Sequence, residues 1–302
     1  MTRLAAVDIG TNSCLLLVVE QRDGGLHHLE ESFIITRLGQ GVDRSGRLAH
    51  EAVARTVEAL ETFAHTMEAH GVTRYKAVGT AVLRDAGSAE ARAAMERVLG
   101  CPVEVISGKR EAALVLAGVR GDLGQLQAGT LLFDVGGGST ELVLHDDGAM
   151  EMISLQLGCV RMTERFGLSD PPTGEELSAL RAAARSQLDA LPASPWSARR
   201  LVGLAGTVTT LATMRLELAR YDSAQVNGLT LTRAQIEQRL GQLAAMPLSQ
   251  RRQVAGLSPG RADIIVAGVC IVAEIMARFG MDELLVSDRG VRWGLLWELA
   301  AG

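Results

Sequence analysis

Cysteine is scarce in this 302-residue chain, and its four cysteines are far apart with no C-x-x-C pair among them. This spacing predicts neither a zinc cage nor a disulfide scaffold, so we expect reduced thiols and a cytoplasmic location. The first residues lack the charged and apolar regions of a secretory signal, and none is expected. The longest apolar run, 264–275, contains Glu274 and is far shorter than the roughly 20 residues that span a bilayer. No membrane partner is therefore expected.

Lysine is even scarcer, since Lys76 and Lys109 are the only two lysines in the sequence. With 30 basic and 35 acidic residues the net charge is −5, which argues against broad attraction to nucleic acid. Any anion site must therefore be local. The planar fork of arginine suits bidentate phosphate contacts, although GC-rich coding sequence would give the same preference for arginine.

Several familiar catalytic motifs are also missing. The six histidines show no H-E-x-x-H spacing, no G-x-S-x-G elbow occurs, and no Walker A loop is present. Gly136 and Gly138 form a G-x-G, but Glu141 stands where a dinucleotide fingerprint has its third glycine. A histidine-built metal site, acyl-transfer chemistry and dinucleotide binding are all disfavoured.

What the sequence does contain is a repeated local design. An apolar stretch, a glycine turn with hydroxyl or carboxylate groups, and a second apolar stretch occur at 4–19, 130–144 and 201–211. The first two segments are nearly copies, because VDIGTNS at 7–13 parallels FDVGGGS at 133–139. Apolar runs on both sides of the turn predict a β-hairpin in each copy. Internal duplication is therefore a plausible origin of the chain.

The remaining periodicity predicts a mixed α/β protein. Val53, Val57, Leu60, Phe63 and Met67 share one face of a helix at 51–70, which ends before Gly71. Length and apolar content favour two ordered domains, which we place at 1–125 and 126–302. A last helix at 291–300 could return to the first domain. Further strands are predicted at 75–78, 103–106, 131–135, 141–145, 151–157 and 284–287. Further helices are predicted at 89–99, 110–119, 174–190, 206–219, 232–245 and 261–279.

The segment DVGGGSTE at 134–141 is the strongest local signal for chemistry. Three glycines are expected to adopt positive φ and to form a nest of backbone N–H groups that binds an anion such as phosphate. Asp134 could hold a hard cation on the phosphate, and Ser139 and Thr140 could add hydroxyl donors. A plain glycine hairpin capped by Asp134 is the alternative, which the second copy at Asp8 disfavours.

Glu111 and Glu141 are the candidate carboxylates for water activation. Hydrolysis of a phosphoanhydride needs mainly positioning, charge neutralisation and one carboxylate that orients the water. Glu111 lies where a strand end enters a helix, so stabilisation of the helix dipole is an equally simple role for it. The residues alone leave that choice open.

At this point the chain resembles a known family, the exopolyphosphatase and guanosine pentaphosphate phosphohydrolase family of the actin-like ATPase superfamily. The resemblance runs nearly from end to end in nine ordered blocks. These blocks are DIGTNS at 8–13, LGQGVDRSG at 38–46, GTAVLRDA at 79–86, ISGKREA at 106–112, DVGGGSTEL at 134–142, LGCVRMTERF at 157–166, LAGTVTT at 204–210, RADIIVAG at 261–268 and VSDRGVRWGL at 286–295.

The resemblance implies an α/β fold of two ribonuclease H-like lobes, as in sugar kinases and actin, with an interdomain cleft. It implies that Glu111 orients the water, that Glu141 is a second catalytic carboxylate, and that Asp134 and Glu141 hold magnesium, with manganese as the alternative. Phosphate contacts are expected from the glycine turns, from Arg84 and from one further turn. These residues are Asp8, Gly10, Thr11, Asn12, Ser13, Arg84, Gly136, Gly137, Gly138, Ser139 and Thr207.

Some positions depart from the family pattern. Leu15 replaces a usual His or Arg, Arg110 a usual Glu, and Ala113 a common Arg, which bears on substrate preference. The length implies a short form without the carboxyl-terminal helical domain of longer members. A basic track toward the cleft is expected to hold a polyanion despite the negative net charge, with candidates at Arg84, Lys109, Arg110, Arg161, Arg165, Arg289 and Arg292.

The function implied is an exopolyphosphatase that releases terminal orthophosphate from inorganic polyphosphate, acting as a homodimer. Hydrolysis of the 5′ γ-phosphate of guanosine pentaphosphate is the enzymatic alternative. A sugar or acetate kinase of the superfamily would instead form ADP. A nucleotide-dependent scaffold, related to actin filaments, is the non-enzymatic alternative and would polymerise with ATP.

Overall fold

The computed structural model describes residues 2–146, 149–192 and 196–302. Within these ranges the chain forms eleven β-strands. The strands are β1 (Thr2–Ile9), β2 (Ser13–Arg22), β3 (Gly25–Ile35), β4 (Arg74–Gly79), β5 (Val103–Val105), β6 (Thr130–Val135), β7 (Thr140–Asp146), β8 (Ala149–Leu155), β9 (Arg200–Leu204), β10 (Thr230–Thr232) and β11 (Glu283–Val286).

Thirteen α-helices and a 3-10 turn at Pro259–Arg261 alternate with the strands in the same ranges. The helices are α1 (Val42–Ser45), α2 (His50–Ala69), α3 (Ala81–Ala86), α4 (Ala89–Leu99), α5 (Gly108–Leu123), α6 (Cys159–Phe166), α7 (Gly174–Asp189), α8 (Ala205–Leu216), α9 (Ser223–Val226), α10 (Arg233–Ala245), α11 (Leu248–Arg251), α12 (Ile265–Arg278) and α13 (Val291–Ala301).

The strands form two sheets with the same topology. The first sheet has the order β3-β2-β1-β4-β5 and the second the order β10-β11-β9-β6-β7-β8. In each, an antiparallel meander of three strands continues into parallel strands, β4 and β5 in the first sheet and β9 and β11 in the second. Apart from the added β10, the second sheet repeats the first. This repetition confirms the predicted α/β class with two ribonuclease H-like units.

The first strand of each meander is buried on both faces of its sheet. Residues 4–7 of β1 are fully inaccessible, and every residue of β6 is buried. Central strands covered on both faces read as continuous apolar runs rather than as alternating ones. The apolar sequences that predict the hairpins β1–β2 and β6–β7 therefore occupy the centres of the two sheets, and both predicted hairpins are confirmed.

The described residues divide into two compact units, 1–124 with 289–302, and 125–288. The predicted second domain, 126–302, differs from this division because α13 packs on α5 and β1 of the first unit. Glycine makes the close approach of α13 to α5 possible. A Cβ on Gly294 would lie 2.1 Å from the carbonyl oxygen of Leu114, and one on Gly118 would lie 2.3 Å from that of Arg289.

The centre of the second unit is α12, whose residues 265–276 are all buried. It includes Glu274, which forms ion pairs with Arg181 and Arg185 of α7 at 2.8 and 3.1 Å. The apolar run of the sequence is therefore a buried helix, as predicted, and its one acid is neutralised inside the unit. Among the described residues, no helix is both long enough and apolar enough to cross a bilayer.

Candidate active site

The turns of the two hairpins have the same geometry. The N–H of Gly10 donates to the carbonyl of Ser13 at 3.0 Å, and the N–H of Gly136 donates to that of Ser139 at 3.0 Å. A Cβ on Gly10 or Gly136 would lie 3.0 or 3.1 Å from the same carbonyl oxygen. The likeness between the two copies therefore extends to atomic detail.

The glycines do not act through positive φ, and the prediction that they would is wrong. Positive φ angles in the described chain occur at other positions, and neither Gly10 nor the run 136–138 is among them. What requires glycine near this turn is close packing. A Cβ on Gly158, just before α6, would lie 2.3 Å from the carbonyl oxygen of Gly137.

The carbonyls of the second turn are all bound to α6 or its side chains. The carbonyl of Gly136 accepts from Cys159 N–H at 3.0 Å, and that of Gly137 accepts from Val160 and Arg161 N–H at 2.9 and 3.1 Å. The carbonyl of Gly138 accepts from Nε of Arg161 at 2.7 Å. In a planar trans peptide the next N–H points the opposite way. The N–H groups of residues 137–139 therefore point away from α6, on one side of the turn.

The first turn is held in the same manner. The carbonyl of Thr11 accepts from Gly39 N–H at 2.8 Å, and that of Asn12 accepts from Thr36 and Arg37 N–H at 3.1 and 2.9 Å. The N–H groups of residues 12 and 13 therefore point away from the 36–39 segment. In the described part of the chain, the buried Nδ2 of Asn12 has no hydrogen-bond acceptor. A buried donor of this kind destabilises the protein unless a ligand accepts from it.

A row of polar side chains crosses the second sheet beside its turn. Asp134, Glu141 and Ser154 are neighbours in register on β6, β7 and β8. Oε1 of Glu141 accepts hydrogen bonds from the hydroxyls of Ser139 and Ser154, each at 2.8 Å. Glu141 is 1% exposed and Asp134 is 9% exposed. The pairing brings two predicted metal ligands to one face of the sheet.

This pair suits a hard cation. Magnesium prefers oxygen ligands and is commonly held by one or two carboxylates, with phosphate and water completing its shell. Within the described ranges, no three His, Cys, Asp or Glu side chains gather in a group that could hold a metal alone. Asp134 and Glu141 therefore supply two of the oxygen ligands that magnesium prefers, and a magnesium ion held by them would need phosphate and water to complete its shell.

Glu111 lies in the first unit, in the first turn of α5, whose N-cap Ser107 accepts from Arg110 N–H at 3.2 Å. It is 7% exposed, and its Oε2 accepts from Nη1 of Arg84 at 2.9 Å. Burial raises the pKa of Glu111 from 4.5 to about 7, with Arg84 opposing the rise and Asp8 adding to it. A carboxyl that only stabilised a helix dipole would not need burial beside a second acid.

Asp8 is the neighbouring acid in this group. Burial raises its pKa from 3.8 to about 6, and Arg292 opposes the rise. Its Oδ1 is buried and accepts no hydrogen bond from the described residues. A carboxylate reaches phosphate only through a proton or a cation, so the predicted phosphate contact of Asp8 requires one of these.

The chain is similar to known proteins over nearly its full length. Residues 17–301 match the Ppx/GppA phosphatase family. The chain is 39% identical over 316 aligned positions to exopolyphosphatase 2 of Mycobacterium tuberculosis, with 99% of each chain covered. The chain belongs to the Ppx/GppA phosphatase family. It is therefore a member of a family of phosphatases.

Two further relatives define its place in the Ppx/GppA family. A guanosine-5′-triphosphate,3′-diphosphate pyrophosphatase of Aeromonas hydrophila is 30% identical over 98% of this chain but only 59% of its own length. The crystal structure of the Aquifex aeolicus family member superposes with a TM-score of 0.83 at 33% identity, covering 99% and 98% of the two chains. The second likeness supports the predicted actin-like fold.

In this Ppx/GppA protein the start of α8 lies beside the carboxylate row of the second sheet. Thr207, a predicted phosphate ligand, is 2% exposed in the first turn of α8. Ala205 has a φ of 62°, a conformation that non-glycine residues rarely adopt outside functional or tightly constrained sites. Leu204, just before it, pairs with Asp134, so β9 brings the start of α8 next to the carboxylate row.

Arg261 is a candidate that the sequence interpretation missed. Its guanidinium packs against the start of α8, where a Cβ on Gly206 would lie 1.9 Å from Nη1 of Arg261. Burial lowers its pKa, which reflects the desolvation of its charge. Its position at the head of the RADIIVAG block was the available signal, since a charged residue opening an apolar run needs a polar partner.

The arginines of the predicted basic track are mostly engaged in the structure. Arg110 forms a two-pronged ion pair with Glu298, both contacts at 2.6 Å, and Arg292 contacts Glu31 at 2.6 Å. Arg84 pairs with Glu111. Because both terminal nitrogens of Arg110 bind Glu298, its expected role as a free cation for long polyanions loses its basis.

Proposed function

We propose that this Ppx/GppA family member is an exopolyphosphatase that releases terminal orthophosphate from inorganic polyphosphate by metal-assisted attack of water. The observation that carries the proposal is the pair of hairpin turns. In both, neighbouring groups bind the turn carbonyls, so that the opposite N–H groups are directed to one side, as an anion site requires. The roles of individual residues below are part of the proposal.

In each unit, phosphate oxygens would accept hydrogen bonds from the N–H groups that the turn leaves unused, those of residues 12 and 13 in the first turn and of residues 137–139 in the second. The first turn adds the hydroxyls of Thr11 and Ser13 and the Nδ2 of Asn12, and the second unit adds the hydroxyls of Ser139 and Thr207; all five residues are less than 9% exposed. Buried, pre-oriented donors stabilise developing charge more than solvated donors do. The buried Nδ2 of Asn12, which has no acceptor among the described residues, is the specific support for a ligand here.

Glu111 would orient the attacking water and accept its proton. A base works best when its pKa is close to the working pH, and burial raises the pKa of Glu111 to about 7. Arg84, which donates to Oε2 at 2.9 Å, would fix the orientation of the carboxylate and keep enough of it ionised. Its predicted phosphate contact is then a secondary role.

Asp134 and Glu141 would hold magnesium, or manganese in its place. When bound, the ion supplies charge neutralisation on the phosphate oxygens. The two serine hydroxyls on Oε1 of Glu141 orient that carboxylate. They also limit its freedom to act as a second proton acceptor, so we assign Glu141 to the ion rather than to the water.

Polyphosphate is preferred over guanosine pentaphosphate because the full-length relative named for polyphosphate is the more similar of the two, at 39% against 30% identity. The homodimer remains a proposal that rests on the family resemblance. Cytoplasmic location is likewise a proposal, supported by the four cysteines, which are free thiols in the structure.

The test is phosphate release from long polyphosphate, tripolyphosphate, guanosine pentaphosphate and ATP, measured side by side with magnesium, manganese or a chelator. We expect long polyphosphate to give the highest kcat/KM and the chelator to abolish release. Faster release from guanosine pentaphosphate would establish the alternative substrate. Formation of ADP only with an added acceptor would indicate a kinase, and no release from any substrate would refute a hydrolytic role.

Two matched variants separate a catalytic role of Glu111 from a structural one. Glu111→Gln should lose activity, whereas Glu90→Gln should not. Glu90 is likewise an acid in the first turn of a helix, α4, but it is exposed. If both variants keep wild-type activity, the water-orienting role of Glu111 is wrong.

A further inference from the structure

The second unit contains a cavity that the hydrolytic residues do not line. It has a volume of about 300 Å³ and lies among α8, β10 and α10. Its lining residues, which define the α8–α10 pocket, are Leu211, Arg215, Leu231, Gln235, Ile236, Gln238, Arg239 and Gln242. This volume is at the lower end of the range for small-ligand sites, and it exceeds the space that one orthophosphate needs.

The pocket is distinct from the turn that we assign to catalysis. Thr207 lies in the first turn of α8 and Arg215 in its last turn. They are eight positions apart in the helix, a distance of about 12 Å along the axis. A ligand in the pocket would therefore meet the carboxyl-terminal half of α8, while the proposed reacting phosphate meets its start.

Two arginines line the pocket from different helices, Arg215 from α8 and Arg239 from α10. Over residues 2–146, 149–192 and 196–302, no carboxylate lies within ion-pair distance of Arg215 or Arg239. Other arginines of this unit do have such partners. Arg233 pairs with Asp282 at 2.9 Å and Arg251 with Asp170 at 2.8 Å. The acid nearest in sequence to Arg239, Glu237, is paired with Arg181 of α7.

The side-chain amide of Gln235 offers the pocket a hydrogen-bond donor, because its oxygen is already bound. Oε1 of Gln235 accepts from the N–H of Thr232 at 3.0 Å, in the capping box of α10. The oxygen of Gln235 is therefore used, and its NH2 group is the part left to meet a ligand. The buried side chains of Leu211, Leu231 and Ile236 are the apolar part of the lining. They hold water away from part of the cavity, which strengthens charge-assisted contacts.

We propose that the α8–α10 pocket binds a condensed phosphate anion at a site separate from the hydrolytic centre. Two guanidinium groups that line one cavity from different helices match an anion with several charged oxygens, since each fork can bind one phosphate in a bidentate manner. Such an anion has two sources, the phosphate groups of a nucleotide and a segment of inorganic polyphosphate. Both present the same chemistry to the arginines.

The direct test is chemical modification of arginine. Phenylglyoxal labelling, followed by mass spectrometry of peptides, measures the modification rates of Arg215 and Arg239 in the full chain with a chelator present. The probes are inorganic tripolyphosphate in one arm and GDP in the other. We expect about tenfold slower labelling of both arginines at a ligand concentration about ten times the Kd. Exposed Arg220 and Arg252 of the same unit should react at an unchanged rate.

Protection by both probes would mean that the phosphates alone are recognised, and protection by one would identify the source. Unprotected Arg215 and Arg239 at millimolar concentrations of both probes would overturn the proposal. So would equal protection of Arg220 and Arg252, because that result reports only general screening.

Calorimetric titration of a double variant gives a second reading. Arg215→Gln with Arg239→Gln should weaken the binding of the protecting probe by about tenfold or more. Arg220→Gln with Arg252→Gln, which changes the net charge equally, should bind as the wild type does. Identical binding by both double variants would refute the site. Because phosphate release is measured separately, failure of the exopolyphosphatase assignment and failure of the pocket are distinguishable.

Discussion

The sharpest prediction concerns the pH dependence of hydrolysis, because two neighbours shift the pKa of Glu111 in opposite directions. If Glu111 accepts the proton of the attacking water, kcat must fall below the pH at which this carboxyl protonates. That pKa is about 7, raised by burial from 4.5. The acid limb of the profile should therefore lie about pH 7, well above the value for an ordinary glutamate.

Arg84→Gln should move the acid limb to higher pH. The guanidinium donates to Oε2 of Glu111 at 2.9 Å and lowers its pKa. A hydrogen bond to a charged group contributes about 1.5–3 kcal/mol, and one pKa unit corresponds to about 1.36 kcal/mol. We therefore expect an upward shift of about one to two pH units. Arg84→Lys keeps a cation and should shift the limb less.

Asp8→Asn should move the limb the other way. The charge on Asp8 raises the pKa of Glu111, so its removal lets Glu111 ionise at lower pH. The acid limbs of Arg84→Gln and Asp8→Asn should therefore shift in opposite directions. General damage to the site would lower the rates of both variants without moving their acid limbs apart.

The assay is initial phosphate release from saturating polyphosphate and magnesium, from about pH 5 to about pH 9 at constant ionic strength. In the same assay the kcat of Glu111→Gln should be about 10²–10⁴-fold lower than that of the wild type, which is the usual contribution of general-base catalysis. Limbs that move in the same direction in Arg84→Gln and Asp8→Asn would refute the reasoning. Retention of the wild-type limb in Glu111→Gln would assign it to another group.

The other predictions concern stability and packing. Asp8→Asn should raise the melting temperature above pH 6 and leave it nearly unchanged near pH 4, as scanning calorimetry can measure. The pKa of Asp8 is about 6 in the folded protein and 3.8 in the unfolded chain. The folded protein therefore loses about 3 kcal/mol of stability as the pH rises through this interval and Asp8 ionises. A lower melting temperature of Asp8→Asn at pH 8 would contradict this. Gly206→Val should abolish phosphate release with a native circular dichroism spectrum, because its Cβ would displace Arg261; wild-type activity in a folded variant would remove Arg261 from the site. Glu274→Ala should lower the free energy of unfolding in urea by about 1.5–3 kcal/mol, the contribution of hydrogen bonds to a charged group, because the buried carboxylate binds both Arg181 and Arg185; a loss under about 1 kcal/mol would show that Glu237 and solvent replace it for these arginines.

Much of the fold follows from the sequence because its central elements are apolar in a simple pattern. The runs around Asp8 and Asp134 predict two hairpins, and the structure has both in register. The buried helix α12 and the last helix α13 were also predictable. The elements that periodicity misses are β3, β10, α6 and the short helices α1, α3, α9 and α11. The edge strand β3 has hardly any fully buried residue, so it lacks the alternation that marks a strand.

Side-chain placement was less predictable than element type. On α2 the buried face contains Ala52, Thr56, Leu60, Phe63 and Met67, whereas the apolar pattern includes Val53 and Val57 in that face. Small residues allow the helix to approach the sheet on one side, and hydrophobicity alone does not report this. Ion-pair partners could not be predicted from the sequence either. Arg110 and Glu298, for example, form an ion pair although they are 188 positions apart.

The glycine motif of the second turn and the contacts that orient its N–H groups are different features of the site. The motif DVGGGSTE suggests an anion nest built on glycine conformation, yet positive φ is not how this turn works. Its N–H groups face one side because α6 and Arg161 bind every carbonyl of residues 136–138. In the first unit the segment 36–39 performs the same task for residues 11 and 12. An anion site of this kind depends on tertiary contacts, so a change in α6 far from the phosphate should weaken it as surely as a change in the glycines.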